Sequence, residues 1–202
     1  MTDVKKSYHH GDLKNALLRA GIDLLEAEGM EGLSLRAIAG RVGVSHTAPK
    51  NHFGSLRGLL TAIATEGFLR HAAFMQRGVD AATGTEARRM ASLTGYVAFA
   101  KAHPHLFKMM FSPEHCDFDD PDLRAAGRSS YAVLAAIAKE LDWDKAEAPG
   151  GARRAEIMLW SLVHGYATLA LGGQFGAGPS GGKVFDIVDI MPEFGYRDAP
   201  VG

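Results

Sequence analysis

The chain has little cysteine, little net charge and no long apolar run. Cys116 is the only cysteine among 202 residues, so no disulfide can form within one chain and a reducing compartment is expected. No segment approaches the roughly 18 uninterrupted apolar residues that a membrane span requires. The first residues lack the apolar stretch of a secretory signal. These absences predict a cytoplasmic protein with no membrane partner.

The net charge of −1 argues against a protein that is basic over its whole surface. Residues 1–57 nevertheless carry eight Lys and Arg against six Asp and Glu, and the stretch from Ser34 to Arg57 contains no acidic residue. A local basic stretch on a nearly neutral protein suits a module that meets phosphates with one surface. An ordinary solvated face has the same composition, so charge alone leaves both interpretations open.

The alternation of apolar and polar residues that marks a β-strand is absent over any useful length. Apolar residues recur instead at helical spacing, and Gly and Pro separate the segments. The sequence therefore predicts an all-α fold. The predicted helices are 12–28, 35–42, 46–53, 56–76 or beyond, 85–102, 104–112, 121–142, 153–173 and 184–191.

A short helix pair is predicted between Leu33 and Phe53. Ser34 can cap the first helix, and Ser45 can cap the second. Gly43 between them permits a backbone conformation that a residue with a Cβ resists. The connection of three residues, Gly-Val-Ser, is typical of a helix-turn-helix motif, which places its second helix in the major groove of DNA.

This motif makes the second helix a candidate DNA-reading element. His46 and Thr47 lie at its N-terminal end, where side chains reach base edges, and Asn51 can pair with adenine through two hydrogen bonds. The basic residues of the stretch are expected to meet phosphates. For each single side chain, a purely solvent-facing role is an open alternative. The predicted DNA-binding residues are Arg36, Ser45, His46, Thr47, Lys50, Asn51, His52 and Arg57.

Several motifs resemble those of one regulator family. The stretches YHHGDL at 8–13, EGMEGLSLRAIA at 28–39 and GVSHTAP-x-x-HF at 43–53 resemble the N-terminal domain of TetR-type (TetR/AcrR-like) transcriptional regulators. The segment LWSLVHGYATL at 159–169 resembles the Trp-His-Gly signature of one C-terminal class in that family. The resemblance implies a helix-turn-helix DNA-binding domain over 1–57 and an α-helical ligand-sensing and dimerisation domain over 58–202.

Two positions depart from the family pattern. Family members usually carry Tyr where this chain has Lys50, and Lys where it has Leu56. Both usual residues contact the DNA backbone. Lys50 can still reach a phosphate, and Arg57 is a candidate replacement for the lysine one position earlier.

The resemblance further implies a homodimer that binds a pseudo-palindromic operator and responds to a small, largely apolar effector, usually as a repressor. Dimerisation would use helices 153–173 and 184–191, and the first of these is apolar on more than one side, as a helix buried within a monomer also is. Met and aromatic residues can line an adjustable pocket or simply fill a core. The predicted ligand-binding residues are Tyr96, Phe99, Phe107, Met110, Trp160 and His164.

Two other classes of protein have weaker support. A metal enzyme could use His103, His105, His115 and Cys116, but their spacing matches no ligand motif. No nucleotide-binding or nucleophile motif is present, and the glycine-rich stretch 172–182 follows a helix rather than a strand. A redox sensor could use Cys116, whose acidic neighbours are expected to raise its pKa. No enzyme, metal or cofactor is therefore expected.

Overall fold

The computed structural model describes residues 10–142, 149–175, 185–191 and 195–196. These ranges form nine helices and one pair of two-residue strands, so the predicted all-α class is confirmed apart from that pair. Strand β1 (Leu141–Asp142) pairs antiparallel with β2 (Gly195–Tyr196), Leu141 opposite Tyr196. The helices are α1 (His10–Glu28), α2 (Leu35–Val42), α3 (Ala48–Phe53), α4 (Leu56–Ala81), α5 (Thr85–Ala102), α6 (Pro104–Met110), α7 (Pro121–Lys139), α8 (Gly151–Leu171) and α9 (Ile187–Ile190).

The chain divides into two compact units that differ from the predicted division after Arg57. The first unit contains Met1–Gly67 and His105–Arg124, and the second contains Phe68–Pro104 and Ala125–Gly202. The first boundary therefore falls inside α4, ten residues beyond Arg57. Because α4 is one continuous helix across this point, no Gly- or Pro-rich linker marks the change in the sequence.

The core of the first unit lies among α1, α2 and the start of α4. Leu17, Leu25, Ile38 and Ile63 are fully buried there, and their helical spacing explains why each helix turns one apolar face inward. Gly21 permits a close approach of α1 to α4, since a Cβ at that position would lie 2.8 Å from Cδ1 of Ile63.

Helix α2 has the predicted bounds, and local signals set both ends. The hydroxyl of Ser34 accepts a hydrogen bond of 3.1 Å from the backbone N–H of Ala37, so the predicted N-cap is confirmed. Gly43 ends the helix with φ of 77°, and its N–H donates to the carbonyl of Ala39. A residue with a Cβ would be strained in that left-handed conformation.

Helix α3 begins at Ala48, two residues later than the sequence predicts. The predicted cap at Ser45 is wrong because its hydroxyl is hydrogen-bonded to the hydroxyl of Thr47, at 3.1 Å, instead of to a backbone N–H. The carbonyl of Ser45 accepts from the N–H of Ala48, so residues 45–48 form a turn ahead of the helix. Pro49 occupies the first turn, where its missing N–H costs little.

The second unit packs α5 against α8 and α9. Tyr96 and Phe99 of α5 and Leu159 and Val163 of α8 are almost completely buried. The end of α4 also lies close to α5, because a Cβ at Gly95 would come within 2.8 Å of the carbonyl oxygen of Phe74.

The later helices differ from their predicted bounds by a few residues. Helix α7 ends at Lys139 rather than 142 because Leu141 and Asp142 pair as a strand. Helix α9 is shorter than predicted and begins with a reciprocal cap between Asp186 and Asp189. Within the described ranges, no helix is both long and apolar enough to cross a membrane.

Candidate nucleic-acid interface

Helix α3 and the turn before it divide their side chains between the core and the solvent. Ala48 and Pro49 are buried against the rest of the first unit. His46, Thr47 and Asn51 are exposed. Ser45 and Lys50 are exposed as well, so five of the eight predicted DNA-binding residues share this short exposed segment.

The C-terminal end of α3 is supported by α1. Phe53 is half-buried, and the ammonium group of Lys14 lies 5.9 Å from the centre of its ring, within range of a cation–π contact. His52 is half-buried, with its ring centre 6.3 Å from that of Phe53. Sequence reasoning did not single out Lys14, since one lysine on an amphipathic helix carries no distinguishing signal.

The two predicted arginines lie in different surroundings. Arg36 is exposed in the first turn of α2. The guanidinium of Arg57 donates to the carbonyl of Cys116 at 2.7 Å and to those of Glu114 and Pro113 at 3.2 and 3.4 Å. Arg57 is therefore hydrogen-bonded to the segment that follows α6, although part of its side chain is exposed.

Helix α4 has its own N-terminal cap beside this arginine. The hydroxyl of Ser55 accepts from the N–H of Gly58 at 3.0 Å, and its carbonyl accepts from the N–H of Leu59. Leu56, one of the two positions at which this chain departs from the family pattern, is half-buried in the first turn of α4.

A polar cluster lies inside the second unit. The hydroxyl of Tyr96 on α5 is 2.8 Å from Nδ1 of His164 on α8. The indole of Trp160 meets the His164 ring edge-on, with centres 6.3 Å apart, and the Tyr131 ring with centres 5.7 Å apart. Burial lowers the pKa of His164, so its imidazole is neutral near pH 7.

His71 on α4 extends this cluster, and sequence reasoning missed it. Its Nδ1 is 2.7 Å from the hydroxyl of Ser130, and its ring meets those of Tyr96 and Phe99 edge-on at 4.2 and 5.0 Å between centres. Burial, and secondarily the nearby His164, lower the pKa of His71 to about 3. A lone histidine in an apolar helix gives no sequence signal that it is buried.

Two models of known protein families match the chain. A model of the bacterial regulatory proteins of the tetR family matches residues 17–63, which contain the helix-turn-helix. A model of the tetracyclin repressor-like C-terminal domain matches residues 89–188. The chain belongs to the TetR family. It is therefore a transcriptional regulator with a helix-turn-helix DNA-binding domain.

Several relatives of this TetR-family regulator span most of its length. A structure of a protein of unknown function from Rhodococcus sp. RHA1 is 36% identical, with a TM-score of 0.71, and the match covers 87% of this chain and 91% of that one. An uncharacterised HTH-type transcriptional regulator of Mycobacterium tuberculosis is 24% identical over 79% of this chain and 71% of its own length. A TetR family transcription regulator from Marinobacter aquaeolei VT8 shares the fold at 14% identity, with a TM-score of 0.59, over 83% of this chain and 87% of its own.

The predicted ligand-binding residues of this TetR-family regulator fall in both units. Tyr96, Trp160 and His164 come together in the second unit, as described above. Phe107 and Met110 belong to the first unit, where both are buried. The assignment of these residues to a ligand pocket stays a prediction.

The candidate metal and redox residues have other partners. Nδ1–H of His105 donates to the carbonyl of Glu26 at 3.2 Å, and His115 lies 3.7 Å from the carboxylate of Glu114.

Cys116 is completely buried, and burial raises the pKa of its thiol to about 11. This effect outweighs the nearby Arg57, which lowers the pKa. Burial, rather than the acidic neighbours, therefore causes the shift. Among the described residues no group of three or more His, Cys, Asp or Glu is placed to hold a metal ion. Most of 172–182 lies outside the described residues.

Proposed function

We propose that this regulator binds a pseudo-palindromic operator as a homodimer, with α3 and the turn before it in the major groove. The exposed polar and basic side chains of that segment, which lie opposite the buried Ala48 and Pro49, support the proposal most directly. Two copies related by a twofold axis would read two half-sites. Such a regulator acts where the chromosome lies, so we also propose a cytoplasmic location.

The exposed side chains have different roles in this proposal. His46 and Thr47 precede the helix, where short side chains reach base edges, and Asn51 follows one turn later, where its amide can pair with adenine. Lys50 supplies a positive charge for a phosphate and no sequence information. Arg36 and His52 are the flanking candidates for further phosphate contacts.

Selection of bound duplexes from a random pool tests the proposal and yields the operator. With the selected duplex and a scrambled control, Asn51→Ala should lose mainly the preference between the two duplexes, at about 1–3 kcal/mol per lost base contact. Lys50→Ala should weaken binding to both duplexes alike. Enrichment of no sequence, or equal effects of the two variants on preference, would contradict the proposal.

The dimer proposal rests on apolar side chains that remain exposed on α8 and α9. Leu169 and Ile157 are 47% and 45% exposed, and Ile190 is 45% exposed. Apolar surface of this kind on the helices of one unit is typical of an interface between subunits. Replacement of Leu169 by Glu should convert the dimer to monomer in sedimentation experiments. Thr168→Glu, which adds the same charge at an exposed polar neighbour, provides a control for the effect of charge.

We further propose that the second unit binds a small, largely apolar effector near Tyr96, Trp160 and His164. Tyr96 and His164 place a hydrogen-bonded polar pair among aromatic rings, and such a combination of a few polar groups with apolar walls is typical of small-molecule sites. An effector that prefers the DNA-incompetent arrangement would lower operator affinity by about 5- to 150-fold, releasing a repressed gene. Trp160 fluorescence in a Trp143→Phe background should report binding. No change in fluorescence or operator affinity across a broad screen of apolar molecules would contradict this model.

A further inference from the structure

The turn ahead of α3 holds the Thr47 side chain by its hydroxyl. Oγ of Ser45 and Oγ1 of Thr47 are 3.1 Å apart, so the two hydroxyls share a hydrogen bond in which either can donate. The N–H of Ala48 donates to the carbonyl of Ser45 at 3.0 Å and closes the turn. The Thr47 hydroxyl does not cap α3, although Thr47 directly precedes that helix. Its partner within the turn is therefore Ser45.

This hydrogen bond also fixes the Thr47 methyl group. Oγ1 and Cγ2 both branch from Cβ and occupy different staggered positions, so one χ1 angle places both atoms. With Oγ1 held beside Ser45, the position of Cγ2 is set as well. The side chain is exposed. A base that meets it would therefore find an oxygen already engaged with Ser45 and a methyl group that takes part in no hydrogen bond.

The bases of DNA respond differently to these two groups. In the major groove a threonine hydroxyl can bond to several bases, whereas apolar contact with its methyl group favours thymine, whose C5-methyl lies in that groove. To read a base, the Thr47 hydroxyl would have to break or divide its bond to Ser45, which offsets part of the gain. The methyl contact needs no such exchange. The geometry of the turn therefore favours thymine.

Asn51 relates this contact to the rest of the half-site. The N–H of Asn51 donates to the carbonyl of Thr47 at 3.0 Å, so the two residues lie one helical turn apart on one face. Four residues of α-helix rise about 6 Å, and successive bases of one strand are about 3.4 Å apart along the axis. The bases that meet the two side chains should therefore lie within about two base pairs of each other.

We propose that Thr47 reads a thymine through its methyl group, and that Ser45 positions this methyl by holding the Thr47 hydroxyl. The thymine lies within about two base pairs of the adenine that Asn51 pairs with. The proposal rests on the proposed DNA-binding function and deepens it by naming the base that the turn recognises. Ser45 is then a positioning residue for base readout.

Removal of single methyl groups from the DNA tests the proposal. The duplex selected from the random pool is resynthesised with deoxyuridine in place of each thymidine in turn, which removes only the C5-methyl. In fluorescence anisotropy, one such position in each half-site should weaken binding about fourfold, as expected for one apolar carbon that loses its contact. Asn51→Ala identifies the adenine from which the distance is counted. Tolerance of uracil at every thymine of the half-site would overturn the proposal.

Two substitutions at Thr47 separate the methyl group from the hydroxyl. Thr47→Ser keeps the hydroxyl and loses the methyl, so it should bind the thymine and uracil duplexes equally. Thr47→Val keeps the methyl and loses the hydroxyl, so it should retain most of the difference between the two duplexes. Discrimination that survives in Thr47→Ser, or that disappears in Thr47→Val, would assign the thymine contact to another group and overturn the proposal.

The role of Ser45 is tested through the ratio of the two affinities. Ser45→Ala releases the Thr47 hydroxyl, so the preference for thymine over uracil should fall. A contact of Ser45 itself with a phosphate would change both affinities alike and leave the ratio unaltered. In the Thr47→Val background there is no hydroxyl to release, so Ser45→Ala should leave the ratio of that variant unchanged. An equal effect of Ser45→Ala in both backgrounds, or none in either, would overturn the positioning role.

Folding of the variants is checked by circular dichroism and thermal melts. Ser45 and Thr47 are exposed, and neither side chain caps α3, so the variants are expected to fold. If one does not fold, the uracil scan of the intact protein still decides. Failure of the intact protein to bind any duplex would remove the proposed function and this proposal with it, whereas operator binding that tolerates every uracil would remove only the role of Thr47.

Discussion

Protonation of His71 in the unfolded chain should lower the stability of this regulator at mildly acidic pH, because the buried imidazole of the folded chain stays neutral. The imidazole is 1% exposed, and its pKa lies at about 3, below the ordinary value of 6.5. The unfolded chain therefore binds a proton on this side chain at pH values where the folded chain does not. Stability is fully present above about pH 6.5 and is lost progressively as the pH falls towards 3.

The size of the effect follows from these two pKa values. Between pH 7.5 and pH 5.5 the folded imidazole stays neutral, whereas the unfolded one becomes largely protonated. The linkage relation then gives a loss of about 1.4 kcal/mol in the free energy of unfolding from His71 alone. Below pH 5.5, each further pH unit lowers the free energy of unfolding by about 1.4 kcal/mol until the folded imidazole itself is protonated, near pH 3.

Urea unfolding monitored by circular dichroism measures this loss at the two pH values. His71→Gln removes the titrating group and keeps a side-chain amide that can donate a hydrogen bond to the Ser130 hydroxyl or accept one from it. Between pH 7.5 and 5.5, the free energy of unfolding of this variant should fall by about 1.4 kcal/mol less than that of the intact protein. Protein concentration is kept constant because the proposed dimerisation would contribute to the apparent stability.

Ser130→Ala is the matched control. It removes the partner of the His71 Nδ1 and leaves the imidazole buried. Because burial is the largest cause of the low pKa, this variant should keep the pH dependence of the intact protein. If the intact protein and His71→Gln lose the same free energy over this range, the buried, neutral state assigned to His71 is wrong.

Two further predictions concern the first unit. Ser34→Ala should lower the free energy of unfolding by about 1 kcal/mol because the cap on the N–H of Ala37 is lost, and Ser34→Asp should restore most of it in the same urea titration. Mild peroxide treatment should leave the operator affinity of the intact protein equal to that of Cys116→Ala. The buried thiol, with a pKa of about 11, is scarcely ionised at neutral pH and therefore reacts slowly. Loss of binding in the intact protein alone would favour the redox-sensor alternative.

The sequence predicts α2 to the residue because the signals at its two ends are local. Ser34 and Gly43 act on backbone groups within four residues of themselves. The start of α3 was mispredicted for the opposite reason. The Ser45 hydroxyl could form a hydrogen bond either with a backbone N–H or with the hydroxyl of Thr47. It binds Thr47, and this depends on the geometry of the turn, which composition does not specify.

Contacts between distant parts of the chain explain the remaining differences. The strand pair joins Leu141 to Tyr196, and two residues are too few to show alternation. The phosphate contact of Arg57 stays a prediction. Its hydrogen bonds to three carbonyls could not be predicted, because those partners lie more than 50 residues away in sequence. The exposed face of α3 could be predicted because the helix-turn-helix motif determines which side chains of its second helix face the core.

The dependence of DNA binding on salt tests the central proposal most directly. Fluorescence anisotropy with the selected operator should give a slope of log K against log[salt] between about −5 and −7, as expected for a dimer that neutralises about six to eight phosphates. Binding that does not change with salt, or the absence of binding to any duplex, would contradict the assignment of the exposed α3 surface as the DNA-reading face.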